Sequence, residues 1–213
     1  MLVTFAIKPA APETVFGYIR RGQALGERLH RVAQFTEKPD RARAEAWLAT
    51  GEYAWNSGIF VWRCSTFLHA LEASRPALAA PLVAIGERTL EGFSRALDKV
   101  FPGLENISVD YAVLEHAPNT VAIEAAFDWD DLGSWGAWAR RQPHDEHGNV
   151  THGDAVAIDC ERCVVVGEGG HAAAIGLSDM IVVHAGGATL ACRVEDSDRV
   201  RRAAEAVAGK GTR

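Results

Sequence analysis

The chain has 213 residues, 48% hydrophobic and 23% charged, with a formal net charge of −6. That composition suits a globular protein with a real core, organised as one large domain or two modest ones. The acidic balance argues against a nucleic-acid binder. An anionic small molecule would need local cations, and lysine occurs only at Lys8, Lys38, Lys99 and Lys210. No stretch is apolar for long enough to span a bilayer, and MLVTFAIKP lacks the basic region and cleavage site of a signal peptide. A cytoplasmic location with no membrane partner is therefore expected. The four cysteines make no disulfide scaffold, and Cys160 and Cys163 read as small buried residues flanking a strand.

Leu2 to Ile7 are apolar and β-prone, and Lys8-Pro9 ends that first strand. The segment APETVFGYIRRG reads as a loop followed by a short strand, and Arg31–Thr36 as another strand running into EKPD. Asp40 is a good N-cap for a helix over Arg41–Thr50 that stops at Gly51. Tyr53–Cys64 reads as a strand interrupted at Asn56-Ser57-Gly58, where small polar residues and a glycine predict a bulge or a close ligand approach. Helical sequence punctuated by Pro76, Pro81 and Pro102 follows, and Ser108 is placed to cap a further helix, SVDYAVLE. Val121–Ala125 is a strand, and a short helix opens at Trp135. HDEHGNVTH, with His144, His147 and His152, fits no standard metal spacing and reads as a solvated loop.

Beyond about residue 143 short apolar runs recur, at Ala155–Ile158, Cys163–Val166, Ala172–Ile175, Ile181–Val183 and Thr189–Val194. Glycine-rich turns, GEGG and HAGG, separate some of them, and Asp198–Ala208 can close as a helix. The expected organisation is an α/β domain over 1–143 followed by a small β-rich domain over 144–213, a β-helix or a compact sheet.

Asp128-Trp129-Asp130-Asp131-Leu132-Gly133-Ser134-Trp135 holds three carboxylates, two indoles, a glycine and a hydroxyl. Carboxylates so held either bind a divalent cation or form an acidic turn. Three further polar insertions fall at or inside strand ends: Glu13-Thr14 with Gly17-Tyr18, Glu37-Lys38, and Asn56-Ser57-Gly58. In an α/β sheet such loops gather where ligands bind. Together they supply a hydroxyl-binding carboxylate, a compact cation, an amide, accessible backbone and a metal-competent aspartate, an inventory suited to a phosphorylated polyol. Each piece also has a plain reading, as a solvated strand end or a turn residue.

In order, KPAAPETVFGYI, QFTEKPD, YAWNSGIFVW, SVDYAVLE and DWDDLGSW resemble the bacterial mannose-1-phosphate guanylyltransferases, and the residues after Gly148 resemble that family's short C-terminal domain. The resemblance implies part of a doubly wound, Rossmann-like nucleotidyltransferase domain followed by the β-rich, β-helix-like one. It implies the reaction of GTP with mannose 1-phosphate to give GDP-mannose and pyrophosphate, with Mg²⁺ as cofactor. By motif, Glu37 and Asn56 hold sugar hydroxyls and Gly17 lets the backbone approach the sugar. Lys38 pairs with the sugar phosphate and Asp131 binds magnesium, so Asp131 and Lys38 carry the catalysis. Asp110 lines the same edge or simply caps its helix. A homodimer through the β-rich unit is expected.

The family's glycine-rich loop, G-G-x-G-x-R-L-x-P-L-S, and its further metal-binding aspartate do not occur in these residues, and Ala10-Ala11 and Phe16 stand where the family usually has threonine-arginine and tyrosine. A doubly wound sheet without its first βαβ units is expected to expose a strand edge. The isolated chain is accordingly expected to form little or no GDP-mannose; robust turnover with GTP, mannose 1-phosphate and magnesium would refute that. The rival expectations are a non-catalytic sugar-phosphate-binding or assembly remnant, and a nucleotidyltransferase for another sugar 1-phosphate.

Overall fold

The computed structural model describes residues 1–86 and 90–208. They form two compact units, the first Met1–Trp129 and the second beginning at Asp130. No helix among the described residues is long and apolar enough to cross a membrane.

The first unit is built on strands β1 (Leu2–Ile7), β2 (Tyr18–Ala24), β3 (Leu29–Thr36), β4 (Tyr53–Val61) and β5 (Thr120–Glu124). They close into a ring in the order β1-β4-β2-β3-β5, parallel only at the β1–β5 seam. The expected open edge is therefore not found among the described residues, because β1 is bonded to β4 on one side and β5 on the other. One core cluster contains Leu2, Ile19, Phe35, Ala54, Val113 and Ala122, against which Phe60, Trp62 and Phe67 pack. A second cluster joins Ile7, Tyr18, Ala44, Tyr53 and Trp55 to Phe16, Trp47 and Trp129.

Local chemistry explains most element ends. Asp40 accepts from the Arg43 amide at the start of α1 (Arg41–Thr50), and Gly51 ends it at φ 69°, a left-handed conformation that a Cβ disfavours. The interruption in β4 is a bulge. Thr4 faces Phe60 but Ala6 already faces Asn56, and Gly58 takes φ 71°. β4 stops at Val61, and Cys64, expected at the end of that strand, instead begins α2 (Cys64–Ser74). Helices α3 (Pro76–Gly86) and α4 (Leu90–Val100) follow. Pro76 opens α3, where a missing amide hydrogen is harmless. Ser108 does not cap the next helix. Val109 takes the cap position of a π-helical turn over Asp110–Leu114, in which the Glu115 amide reaches back to the Asp110 carbonyl. That wider turn still buries Val113 and Leu114.

The second unit contains α5 (Trp135–Ala139), β6 (Val150–Ile158), β7 (Val164–Ile175), β8 (Met180–Ala185), β9 (Ala188–Arg193) and α6 (Val200–Ala208). The sheet order is β6-β7-β8-β9, parallel except for the β8–β9 hairpin, whose Gly186 and Gly187 both have positive φ. The GEGG segment is no turn between strands. Two expected runs fuse into β7, and the register against β6 jumps from Gly153–Gly167 to Ala155–Ala172. At that corner a Cβ on Gly153 would collide with the Gly167 carbonyl, so only glycine lets the strands pass. His152 lies on β6 rather than in a loop. Cys160 and Cys163 are buried, as expected; burial raises the Cys163 thiol pKa, and Asn149 bonds the Cys160 carbonyl and the Cys163 amide.

Candidate functional site

The site in the first unit begins with a steric condition. β2 and β4 are hydrogen-bonded neighbours, and the Asn56 amide donates to the Gly17 carbonyl at 2.8 Å. This pins the residue before β2 against the bulge of β4. A Cβ on Gly17 would lie 2.5 Å from Glu37 Oε2 and 3.3 Å from Asn56 Cβ. Glycine thus lets a carboxylate and an amide pack directly against the backbone at this point.

Glu37 follows β3, its side chain 11% exposed, and its backbone amide donates to Glu115 Oε1 at 2.9 Å. Burial raises its carboxyl pKa above the usual range, and the negative charge of Asp110 adds to that, while Lys38 pulls it down. Lys38 Nζ lies 3.5 Å from Glu37 Oε1, with its side chain more than half exposed. Lys38 itself sits at φ 47°, a strained conformation for a residue with a Cβ, of the kind that collects at ligand sites.

Asn56 is buried, and its amide is held from two sides. Thr4 Oγ1 donates to Asn56 Oδ1 at 2.8 Å, and Asn56 Nδ2 donates to Asp110 Oδ1 at 3.3 Å. Asp110, on the π-helical turn, also has a raised carboxyl pKa; burial is the main cause, opposed by hydrogen bonds from its own backbone and from Ser108 and by the charge of Lys38. Gly17, Glu37, Lys38, Asn56 and Asp110, separated widely in sequence, are thereby brought together. Thr4 and Glu115 join them, and sequence reasoning missed both. A signal for Thr4 existed: it alternates with Leu2 and Ala6 on the buried face of β1, where a hydroxyl needs a partner.

Two buried carboxylates with raised pKa values weigh against the fold at neutral pH. A group whose folded pKa lies above its unfolded value contributes stability at low pH, and that contribution is lost as pH rises through the folded pKa. Asp110→Asn is therefore expected to stabilise the chain at pH 7, by roughly 0.5–1 kcal/mol, because Asp110 is half-buried and solvent screens the rest. The gain should vanish below the ordinary aspartate pKa, where the carboxyl is neutral in both states. Chemical denaturation at pH 7 and pH 3 reads it; a loss of stability at pH 7 would contradict burial as the main cause.

Asp131 belongs to the second unit. Its carboxylate is exposed and accepts from the Gly133 amide at 3.2 Å, and a Cβ on Gly133 would stand 3.2 Å from either oxygen. Ser134 then caps α5 through the Ala137 amide. The carboxylate keeps free lone pairs and offers a hard oxygen, which fits one protein ligand of a magnesium ion that takes its other ligands from water and phosphate. Asp130 is differently employed: Arg140 holds it at 2.8 Å and lowers its pKa, with Arg141 at 3.4 Å. Among the described residues no group of three or more His, Cys, Asp or Glu is arranged to hold a metal.

A family model described as nucleotidyl transferase matches residues 1–148, and one described as a MannoseP isomerase/GMP-like beta-helix domain matches residues 153–206. A mannose-1-phosphate guanylyltransferase of Klebsiella pneumoniae is 42% identical over 209 residues, which are 96% of this chain and 44% of that protein. Its Escherichia coli counterpart is 40% identical over 209 residues, with the same coverage of 96% and 44%. The crystal structure of a mannose-1-phosphate geranyltransferase from Thermus thermophilus superposes with a TM-score of 0.81 at 31% identity, covering 97% of this chain and 60% of that one. The chain spans about half the length of the curated relatives it matches.

Proposed function

Because the chain belongs to the nucleotidyl transferase family, we propose that it carries the sugar-phosphate side of a mannose-1-phosphate guanylyltransferase site, acting on GTP and mannose 1-phosphate. The observation that carries this reading is the convergence of Glu37, Lys38, Asn56 and Asp110 around the backbone of Gly17. A neutral amide and a carboxylate read hydroxyl positions, while an exposed lysine neutralises a phosphate without burying its charge. The relatives support the choice of sugar and nucleotide.

In this reading the sugar phosphate oxygen attacks the α-phosphorus of GTP in line, the bond to the pyrophosphate oxygen breaks, and no covalent enzyme intermediate forms. The chain contributes positioning and charge. Glu37, held by its backbone bond to Glu115, accepts from a sugar hydroxyl, and Asn56 contacts another sugar oxygen. Lys38 fixes the phosphate so that an oxygen can face the nucleotide. Asp131 would hold Mg²⁺, which when bound neutralises charge on the phosphate oxygens.

Calorimetric titration of the chain tests the sugar-phosphate side directly. Mannose 1-phosphate is expected to bind about tenfold or more tightly than mannose, the difference that Lys38 supplies, and Lys38→Met should remove it. Equal affinity for the two ligands, or binding unaffected by Lys38→Met, would contradict the assignment.

A further inference from the structure

Asn56 is the one side chain in the cluster whose chemistry depends on which way round it sits. Its carbonyl oxygen accepts and its nitrogen donates two hydrogens, so a 180° turn of the amide exchanges an acceptor for a donor at every neighbour. Two contacts choose between the orientations. Thr4, fully buried on β1, donates its hydroxyl to Oδ1 at 2.8 Å, and Asp110 accepts from Nδ2 at 3.3 Å. With the amide reversed, the carbonyl oxygen would face the Asp110 carboxylate, acceptor against acceptor. The Thr4 hydroxyl could then accept from the nitrogen, but its own buried proton would lose the acceptor that Asn56 Oδ1 provides, so Thr4 and Asp110 favour the same orientation.

We propose that Thr4 is a positioning residue that fixes Asn56 as a hydrogen-bond donor toward the sugar. Asp110 takes one Nδ2 hydrogen, and the second remains for a ligand. That nitrogen and Glu37 Oε2 are neighbours beside Gly17, 3.6 Å and 2.5 Å from where a Cβ would stand. A ligand hydroxyl group that reaches both side chains accepts from Asn56 and donates to Glu37, a complementary pair that a reversed amide would turn into two competing acceptors. This inference rests on reading the cluster as the sugar-phosphate site, but the orientation of Asn56 can be observed without any ligand.

The test combines NMR of the Asn56 side-chain amide with titration by mannose 1-phosphate, on the wild-type chain, Thr4→Ser and Thr4→Val. In wild type and Thr4→Ser the Asn56 NH₂ protons should show no close contact to the side chain at position 4, and the two affinities should agree within about twofold. In Thr4→Val the NH₂ resonances should move and affinity should fall about tenfold, the effect of losing one oriented buried hydrogen bond. A close contact between the Asn56 NH₂ and Thr4 in wild type would overturn the proposal. So would Thr4→Val spectra and affinity equal to wild type, or a Thr4→Ser variant as weak as Thr4→Val. If Thr4→Val does not fold, the wild-type contacts and the serine variant decide. If wild type binds no mannose 1-phosphate, the sugar-phosphate reading fails, and the amide spectra alone still support or overturn the orientation.

Discussion

Asp131→Asn is expected to lower GDP-mannose formation by roughly 10²–10³-fold, with little change in thermal stability, in a chimera where this chain replaces the matching segment of the Klebsiella pneumoniae relative. The size follows from the role. A neutral amide cannot supply the anionic oxygen that binds a hard divalent cation, and the phosphoryl transfer depends on charge neutralisation. The fold should survive because the local structure asks only for an acceptor. The Gly133 amide donates to Oδ1, and an asparagine oxygen serves that turn equally well. Ser134 continues to cap α5 through the Ala137 amide. Asp130→Asn is the matched comparison. It loosens the pairs with Arg140 and Arg141 but removes no proposed metal ligand, so turnover should fall little. If Asp131→Asn and Asp130→Asn behave alike, Asp131 holds no metal.

Gly17→Ala should weaken mannose 1-phosphate binding by about tenfold to a hundredfold, the effect of an overpacked contact of roughly 1–3 kcal/mol. The added methyl would stand 2.5 Å from Glu37 Oε2, so the carboxylate must swing away from the position proposed to meet the sugar. Asn56 gives less room, because its Cβ would be only 3.3 Å from the new carbon and its backbone is tied to Gly17. Gly51→Ala separates this effect from general loss of stability. Gly51 has φ 69° and nothing within 4 Å of an added Cβ, so its substitution strains the end of α1 by about 1–2 kcal/mol without touching the site. Gly51→Ala should lower the unfolding midpoint and leave affinity unchanged, whereas Gly17→Ala should lower affinity. Equal affinity for Gly17→Ala and wild type would mean that the ligand does not lie against Glu37.

Where the determinants are local, the sequence already shows them. The apolar run Leu2–Ile7, the Asp40 cap and Gly51 stop of α1, and the bulge at Asn56-Ser57-Gly58 depend on residues a few positions apart, and the structure has all of them. Gly17, Glu37, Lys38 and Asn56 were marked by being polar or permissive beside strand ends, and they do converge. What escaped depends on pairing across long separations. The β1–β5 seam joins Leu2 to Thr120, and no local pattern announces that the ring closes. Thr4 was invisible as a partner of Asn56 because the bulge that brings them together shifts the β1–β4 register. The fusion of two apolar runs into β7 depends on the match of Gly153 with Gly167, a tertiary fit that the spacing of GEGG does not reveal. Ser108 had the chemistry of a cap, but its side chain hydrogen-bonds to Asp110 and makes no cap bond to the turn.

Gly17, Glu37, Lys38, Asn56 and Asp110 are proposed to form one site for a sugar phosphate. Mapping ¹H–¹⁵N chemical shifts during titration with mannose 1-phosphate tests it most directly. The amides of Gly17, Glu37, Lys38 and Asp110 and the side-chain NH₂ of Asn56 are expected to move together along one saturating curve, and mannose should reproduce the shifts at Asn56 but not at Lys38. Saturating shifts that leave these five residues unmoved, or no saturable shift anywhere in the first unit, would contradict it.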